Sequence, residues 1–573
     1  MTAPQNPQPS PAPPAPEQRD LFMPPPADAP AAPADVPGAA VPPAEGPPAD
    51  AGEFVVPEAL PTSDPAAEAA AATAQPVPLR GQYDAVVVGG GLAGLVVGSL
   101  LVRAGRQVLL LEKGTALGGL CRPADSEGEP GDLGAMFLPG CGAQAALEDL
   151  ARRLQLSVAL AAPDPILQVA LPRHRLSLFR DPERWWAEVQ REFPDELPAW
   201  KALFFEMDGL VEDRANLLTL LPPVPPEGWR NRARLESVML VRGWVGGAAP
   251  LIRRVRQAMT TPFRETLAAR GFGEASQAIF DAWLWFLRLR DAGECSTLEA
   301  AVALQRLRHG LCVVSEGLGR LVERLAEQFQ QDGGDLRLEA PVRRCRVERG
   351  RVVGVEMATG ATTRAPRVIT DLPPDALGRI LPARRRWFES GRPAAGPWTP
   401  RTRGEGMALS IPEAFLPSEL GTLCLVVPER SRPAREENLV MVRRLAGTGG
   451  KAAPDGVCRL EVARAVAATG PAAAPLDTTL LAALDRILPG VSEALAARAL
   501  FPSGALETVW GRPAAALSYA GPDREWFGGR GPGHASGWPG LLVMGDWTYP
   551  GRLLAEGIEE AVGVADAILA HGR

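Results

Sequence analysis

The stretch that most constrains the fold begins at Tyr83 and reads YDAVVVGGGLAGLVVGSLLVRAGRQVLLLEKG. Ala85–Val88 is uniformly apolar and β-branched, the character of a strand buried on both faces of a parallel sheet. Gly89, Gly91 and Gly94 follow at G-x-G-x-x-G spacing. That spacing permits a tight turn, admits a pyrophosphate against bare backbone and packs the next helix onto the strand. The first amides of that helix, including those of Leu92 and Ala93, then face the phosphates. The helix is predicted from about Leu92 to Arg103 with Gly105 as its stop, and Gln107–Leu111 forms a second strand ending in Glu112. Glu112 lands where ribose hydroxyls need an acceptor. A glycine turn alone is a common packing device, but strand, turn, helix, strand and acid in register favour a nucleotide site.

Beyond Glu112-Lys113 come Leu117-Gly118-Gly119-Leu120 and then Asp132-Leu133-Gly134-Ala135-Met136-Phe137. The run E-K-x-x-x-L-G-G followed by D-x-G resembles the flavoprotein superfamily of amine oxidases, protoporphyrinogen oxidases and phytoene-desaturase-like enzymes. The resemblance implies FAD rather than NAD. It also implies that the second glycine pair lies along the FAD pyrophosphate and ribityl chain, bringing Lys113, Gly118, Gly119, Gly134, Ala135 and Met136 into the cofactor site. Members often carry Gly-His where this chain has Ala135-Met136.

Two later segments match the same superfamily. EGLGRLVERLAEQFQQDGGDLRLEAPVRRCRVERGRVVGVEMATG is predicted as a helix from about Arg320 to Gln331, a Gly333-Gly334 turn and several short strands. By the resemblance Val342 is the backbone position set against the adenine; read without it, the segment is an ordinary βαβ unit. WPGLLVMGDWTYPGRLLAEGIEEAVGVADAILA holds a buried strand, Leu541–Met544, then Gly545-Asp546 and a helix from about Leu554 to Leu569. An acid at the carboxyl end of a parallel strand stands where doubly wound sheets bind ligands, and the resemblance gives Asp546 the ribityl chain. The start of the last helix, with Leu554 and Ala555, directs its positive end at the flavin pyrimidine. The resemblance covers about Tyr83–Leu138, Glu316–Leu377 and Trp538–Ile568.

The expected fold class is α/β: a discontinuous Rossmann-like FAD-binding domain with an inserted α+β substrate domain, preceded by a disordered tail. The boundaries read 1–80 for the tail, 81–139, 311–384 and 531–573 for the FAD-binding parts, and 140–310 and 385–530 for the substrate parts. The tail is rich in Pro, Ala and scattered acids, carries ten acids against two bases, and lacks apolar periodicity. Its two apolar islands, Leu21-Phe22-Met23 and Phe54-Val55-Val56, are short enough to be chance, and its partner stays unknown. The remaining body has a net charge of +1, no electrostatic footprint for nucleic acid. Seven widely spaced cysteines without a C-x-x-C pair point to a reducing compartment and away from a structural metal. No secretory signal is visible at the first residues, so the expected location is the cytoplasm, with room for peripheral contact with a membrane.

The middle segments ERWWAEVQREF, ELPAWKALFFEM and AIFDAWLWFLRLR are rich in large apolar residues. Most of these are expected in a core; Trp185-Trp186 and Trp387-Phe388, beside arginines, are the alternatives for a tunnel or a lipid surface. The four histidines are scattered and read as surface or turn residues, so the catalytic residues stay unknown. Amine oxidases of the superfamily usually carry a lysine near the flavin, expected here within Gly404–Ile411, yet that stretch reads GEGMALSI. The missing lysine and the apolar middle favour the phytoene-desaturase-like branch and an apolar, isoprenoid or carotenoid-type substrate. The alternatives are an amine or protoporphyrinogen oxidase and a non-catalytic FAD-binding protein.

Overall fold

The computed structural model describes residues 79–570 apart from 127–128, 132, 135–137, 140–145, 227, 246–248, 316, 383–397, 446, 449–450, 453–455, 470–474, 522–523 and 552–553. The N-terminal tail, Ala135, Met136, Trp387 and Phe388 therefore lie outside the described residues. Gly81–Arg573 forms one unit.

Within that unit five parallel strands make one sheet: β1 (Ala85–Val88), β2 (Val108–Leu111), β3 (Asp335–Arg337), β4 (Arg367–Thr370) and β5 (Leu541–Val543), in the order β3-β2-β1-β4-β5. Val87 pairs with Leu110 on one side and Ile369 on the other, so β1 is buried on both edges and both faces, as its unbroken apolar run requires. The strand order reverses between β1 and β4, which opens a crevice at their carboxyl ends.

Helix α1 (Leu92–Arg103) follows β1, α2 (Leu318–Gln331) precedes β3 and α3 (Leu554–Ala570) follows β5. α1 packs against both α2 and α3. Gly98 permits the α2 approach, since a Cβ there would stand 3.1 Å from the Phe329 ring. The α1 start and stop agree with the sequence; α2 begins two residues earlier than expected, at Leu318, which is buried with Leu321, Val322, Leu325 and Phe329. Between β3 and β4 the chain makes a three-stranded antiparallel sheet over Val342–Glu348, Arg351–Met357 and Thr362–Arg364.

The second large sheet is mostly antiparallel and is built from both intervening stretches of chain. Its longest strand, Thr399–Pro412, pairs with Val457–Ala467, which pairs with Val440–Leu445; Leu423–Val426 then pairs in parallel with Leu167–Leu171. Two cross-strand ion pairs are sealed in it. Arg443 Nε donates to Glu461 at 2.9 Å, and Arg464 Nε donates to Glu405 at 2.7 Å, each pair directly opposite in the ladder. A one-residue slip would strand four buried charges, so these pairs penalise wrong registers.

Helices fill the stretch from Pro182 to Arg308. Their core is aromatic: Trp200 stacks on Phe280 with ring centres 4.6 Å apart and meets Trp185, Phe204 and Trp283 with centres 6.0, 5.9 and 6.0 Å away. Trp185 is fully buried. Among the described residues five cysteines are buried free thiols and Cys312 is disulfide-bonded. Among the described residues no helix is long and apolar enough to cross a membrane.

Candidate active site

Four strand ends converge on the crevice. After β1, Gly89 turns with φ +115°, and a Cβ on Gly94 would stand 2.3 Å from the Gly89 carbonyl oxygen, so only glycine lets α1 start this close to the strand. After β2, the Glu112 carboxylate accepts the Gly90 and Gly114 N–H groups, both at 2.8 Å. Gly118 N–H donates to the Gly90 carbonyl at 2.9 Å, and Gly91 bridges Gly118, which lays the Gly118-Gly119 pair alongside the first turn. Gly134 joins them from the far side: a Cβ there would stand 1.9 Å from the Leu120 carbonyl oxygen.

After β4 comes a residue that sequence reasoning missed. The Asp371 carboxylate lies in the mouth of the glycine turn, 1.8 Å from where a Cβ on Gly89 would be and 2.3 Å from one on Gly91, and accepts the Gly94 N–H. Burial and the nearby Glu112 charge push the Asp371 carboxyl up to about 7. The signal was present, since Arg367–Thr370 followed by Asp371 repeats the strand-then-acid pattern used for Glu112 and Asp546. A turn without side chains, beside which the Gly94 N–H already donates to a carboxyl oxygen, has the form a pyrophosphate needs. The residues present fit a dinucleotide.

After β5, Gly545 turns with φ +127° and Asp546 meets Arg512, whose Nη2 donates to both carboxylate oxygens at 3.0 and 2.9 Å. Burial opposes the Arg512 charge, but Asp546 and Tyr519 hold it firmly protonated. Asp546 is therefore oriented by a guanidinium. A buried arginine in the apolar run VWGRPAAALSYA was the available clue, because such a charge demands a partner. Lys113 reaches the same segment, its Nζ donating to the Gly511 carbonyl at 2.7 Å.

The turn bearing Asp546 is braced from α3. Glu560 is fully buried, accepts the Gly545 N–H at 3.1 Å and the Thr548 hydroxyl, and lies 3.2 Å from His534 Nδ1. Burial raises the Glu560 carboxyl despite these partners. His534 lies in a bend and is partly exposed, as expected of a surface or turn residue, and its ring also joins this network. Val342 opens its strand just past Glu339 and Ala340, whose N–H groups donate to Gly114 and Glu112 at 3.0 and 2.8 Å, so it sits at the Glu112 end of the crevice. Leu554 begins α3; its side chain is outside the described residues.

A cavity adjoins Asp546, walled by Trp398, Trp547, Arg288, Arg290, Glu299, Arg530 and the Pro550-Gly551 backbone. Trp398 and Trp547 meet edge to face with centres 5.6 Å apart. Arg288 donates to Glu556 at 2.7 Å, and Arg530 Nε donates to Glu299 at 2.7 Å. Glu525, beyond Arg530, is pushed up to about 7 by burial and by the Glu299 charge. The wall is thus aromatic and ion-paired together, more polar than the apolar composition of the middle segments implied. Strand Thr399–Pro412, where a lysine was looked for, carries Glu405 bound to Arg464 instead.

The family model described as flavin containing amine oxidoreductase matches residues 92–396. A 4,4'-diapophytoene desaturase (4,4'-diapolycopene-forming) of a Methylomonas species is 23% identical over 286 residues, 50% of this chain and 52% of that protein. The chloroplastic prolycopene isomerase of Daucus carota is 25% identical over 320 residues, 52% of this chain and 48% of that protein. The chain spans about half the length of the curated relatives it matches. Among solved structures, wild-type putrescine oxidase bound to putrescine superposes with a TM-score of 0.57 at 17% identity, over 85% of this chain and 99% of that one, a likeness of fold. The chain belongs to the flavin containing amine oxidoreductase family, and FAD is its cofactor.

Proposed function

We propose that this protein is an FAD-dependent oxidoreductase acting on an apolar, isoprenoid or carotenoid-type substrate, by desaturation, isomerisation, ketolation or saturation. The observation that carries the reading is the central strand Thr399–Pro412, which offers no lysine. The relatives named as a diapophytoene desaturase and a prolycopene isomerase support the same branch. FAD, when bound, would supply a hydride acceptor for desaturation and, in its reduced form, a hydride donor for saturation, and the protein has to place a carbon, exclude water and manage charge. Asp546, fixed by Arg512 and by the Glu560 brace behind its turn, orients the cofactor chain. The N-terminus of α3 offers its positive end to charge developing beside it.

A second reading, amine oxidation, is favoured by one feature of the cavity. Trp398 and Trp547 bring aromatic faces to the wall, the surface a cationic amine would use, although Glu299 there is already paired with Arg530 and the wall also holds Arg288 and Arg290. The test is the visible spectrum of the FAD-loaded protein under anaerobic conditions, with a dispersed polyene and separately with soluble amines. Bleaching by the polyene alone is expected. Bleaching by amines alone would transfer the protein to the second reading.

A further inference from the structure

We infer that the helical hairpin over residues 228–260 is a docking surface for an anionic lipid bilayer. Its helices are Gly228–Val245 and Ala249–Thr260. The 33 residues carry seven arginines and one acid, Glu236, a net charge of +6 in a chain whose total is −7. The concentration of charge is matched by its placement. On Ala249–Thr260, Ile252, Val255 and Ala258 are buried while Arg253, Arg254 and Arg256 are exposed, so one face holds the helix and the other presents cations. Arg254 is committed to Asp213 at 2.9 Å, which ties this helix to Leu197–Leu220.

The first helix adds apolar surface. Leu240 and Val241 are 64% and 57% exposed, among the few large hydrophobic side chains left in water among the described residues. By helical spacing they project away from the buried Leu235. Arginines beside outward aliphatic residues are the composition of a surface helix lying in the headgroup region, where guanidinium groups meet phosphates and aliphatic tips reach the acyl boundary. Nucleic acid would use the cations but has no use for leucine and valine tips, which neither stack on bases nor read their edges. A second copy of this chain is disfavoured because two such surfaces repel.

The surface also lies next to the cavity. Arg232 stands over Trp526 at 6.0 Å, the neighbouring Glu525 accepts the Ser296 hydroxyl at 2.8 Å, and Arg530 on the paired strand forms part of the cavity wall. A lipid-borne substrate would thus be delivered beside its site; that clause alone rests on the proposed function.

The test is flotation of the full-length, FAD-loaded protein with phosphatidylcholine vesicles, with and without phosphatidylglycerol, at low and high salt. Binding is expected only with phosphatidylglycerol, and it should weaken as salt rises. Arg253→Glu/Arg256→Glu should weaken it about tenfold or more, and Leu240→Ser/Val241→Ser about threefold or more at either salt. Flavin absorbance per protein reports that each variant is folded. Equal binding to both vesicle types, wild-type binding by folded variants, or retention on DNA or polyglutamate but not on vesicles would each overturn the inference. Vesicle binding by a protein whose flavin is bleached only by amines would keep the surface and remove the lipid substrate.

Discussion

The crevice at the strand ends and the aromatic layer of helices over Pro182–Arg308 are held together by different physics. The crevice is made of backbone, glycines and amides, with three acids at the carboxyl ends of parallel strands: Glu112 and Asp371 one residue past theirs and Asp546 three past Val543. The helical layer is made of volume, with Trp185, Trp200, Phe204, Phe280 and Trp283 filling one space. Substitutions in the first should therefore act on the cofactor with little change in stability, and substitutions in the second the reverse. That separation can be broken by experiment.

The largest expected effect is Trp200→Ala, which should cost about 3–5 kcal/mol of stability, measured by urea unfolding, while folded molecules keep their flavin. Loss of FAD from protein that is still folded would show that the two regions are coupled. Next is Gly94→Ala, the crevice substitution expected to act on both regions' readouts, because its new Cβ meets the rigid Gly89 carbonyl; about 1–3 kcal/mol of overpacking should lower stability in urea unfolding, and FAD affinity in titrations of the apoprotein should fall with it. Glu112→Ala should weaken FAD by roughly tenfold or more, since a charge-assisted acceptor is lost, and unchanged affinity would remove Glu112 from the site.

A smaller effect is expected at Asp371. Its carboxyl is raised in the fold from 3.8 to about 7, so the folded state binds the proton more tightly than the unfolded chain. The penalty is absent below the lower value, grows as pH rises between the two and is complete above the higher one. Asp371→Asn should therefore stabilise the apoprotein by about 1 kcal/mol at pH 8, allowing for solvent screening, and by progressively less toward acid pH. Wild-type FAD affinity should also fall between pH 6 and pH 8 as the carboxylate charges against the phosphates, and a flat profile would show that Asp371 leaves the cradle on binding. The smallest expected effect is that of removing residues 1–78, which should leave FAD affinity within about twofold of wild type.

The crevice was largely readable because its determinants are local. Gly89–Gly94 and Glu112 lie within one βαβ unit, and the positions of β1 and α1 follow from an apolar run, a glycine turn and a glycine stop. Asp371 and Arg512 were missed for opposite reasons. Asp371 carries the same strand-then-acid signal as its neighbours and went unweighted, whereas the Arg512 pairing to Asp546 spans 34 residues and is created only when two segments meet. The Glu560 brace is similar: an acid on an apolar helix face has no meaning until Gly545, Thr548 and His534 surround it.

By itself the sequence determined the nucleotide-binding half of this protein, because glycine spacing, apolar strand runs and acids at strand ends act within a few residues and leave few backbone alternatives. The tertiary structure alone decided the rest. It set the register of the second sheet, where Arg443–Glu461 and Arg464–Glu405 face each other across strands, and the ion-paired wall beside Asp546. It also separated the tryptophans that are core from the leucine and valine that face water. Those outcomes depend on long-range pairing, in which a buried charge or an exposed aliphatic side chain takes its meaning from residues far away in the chain.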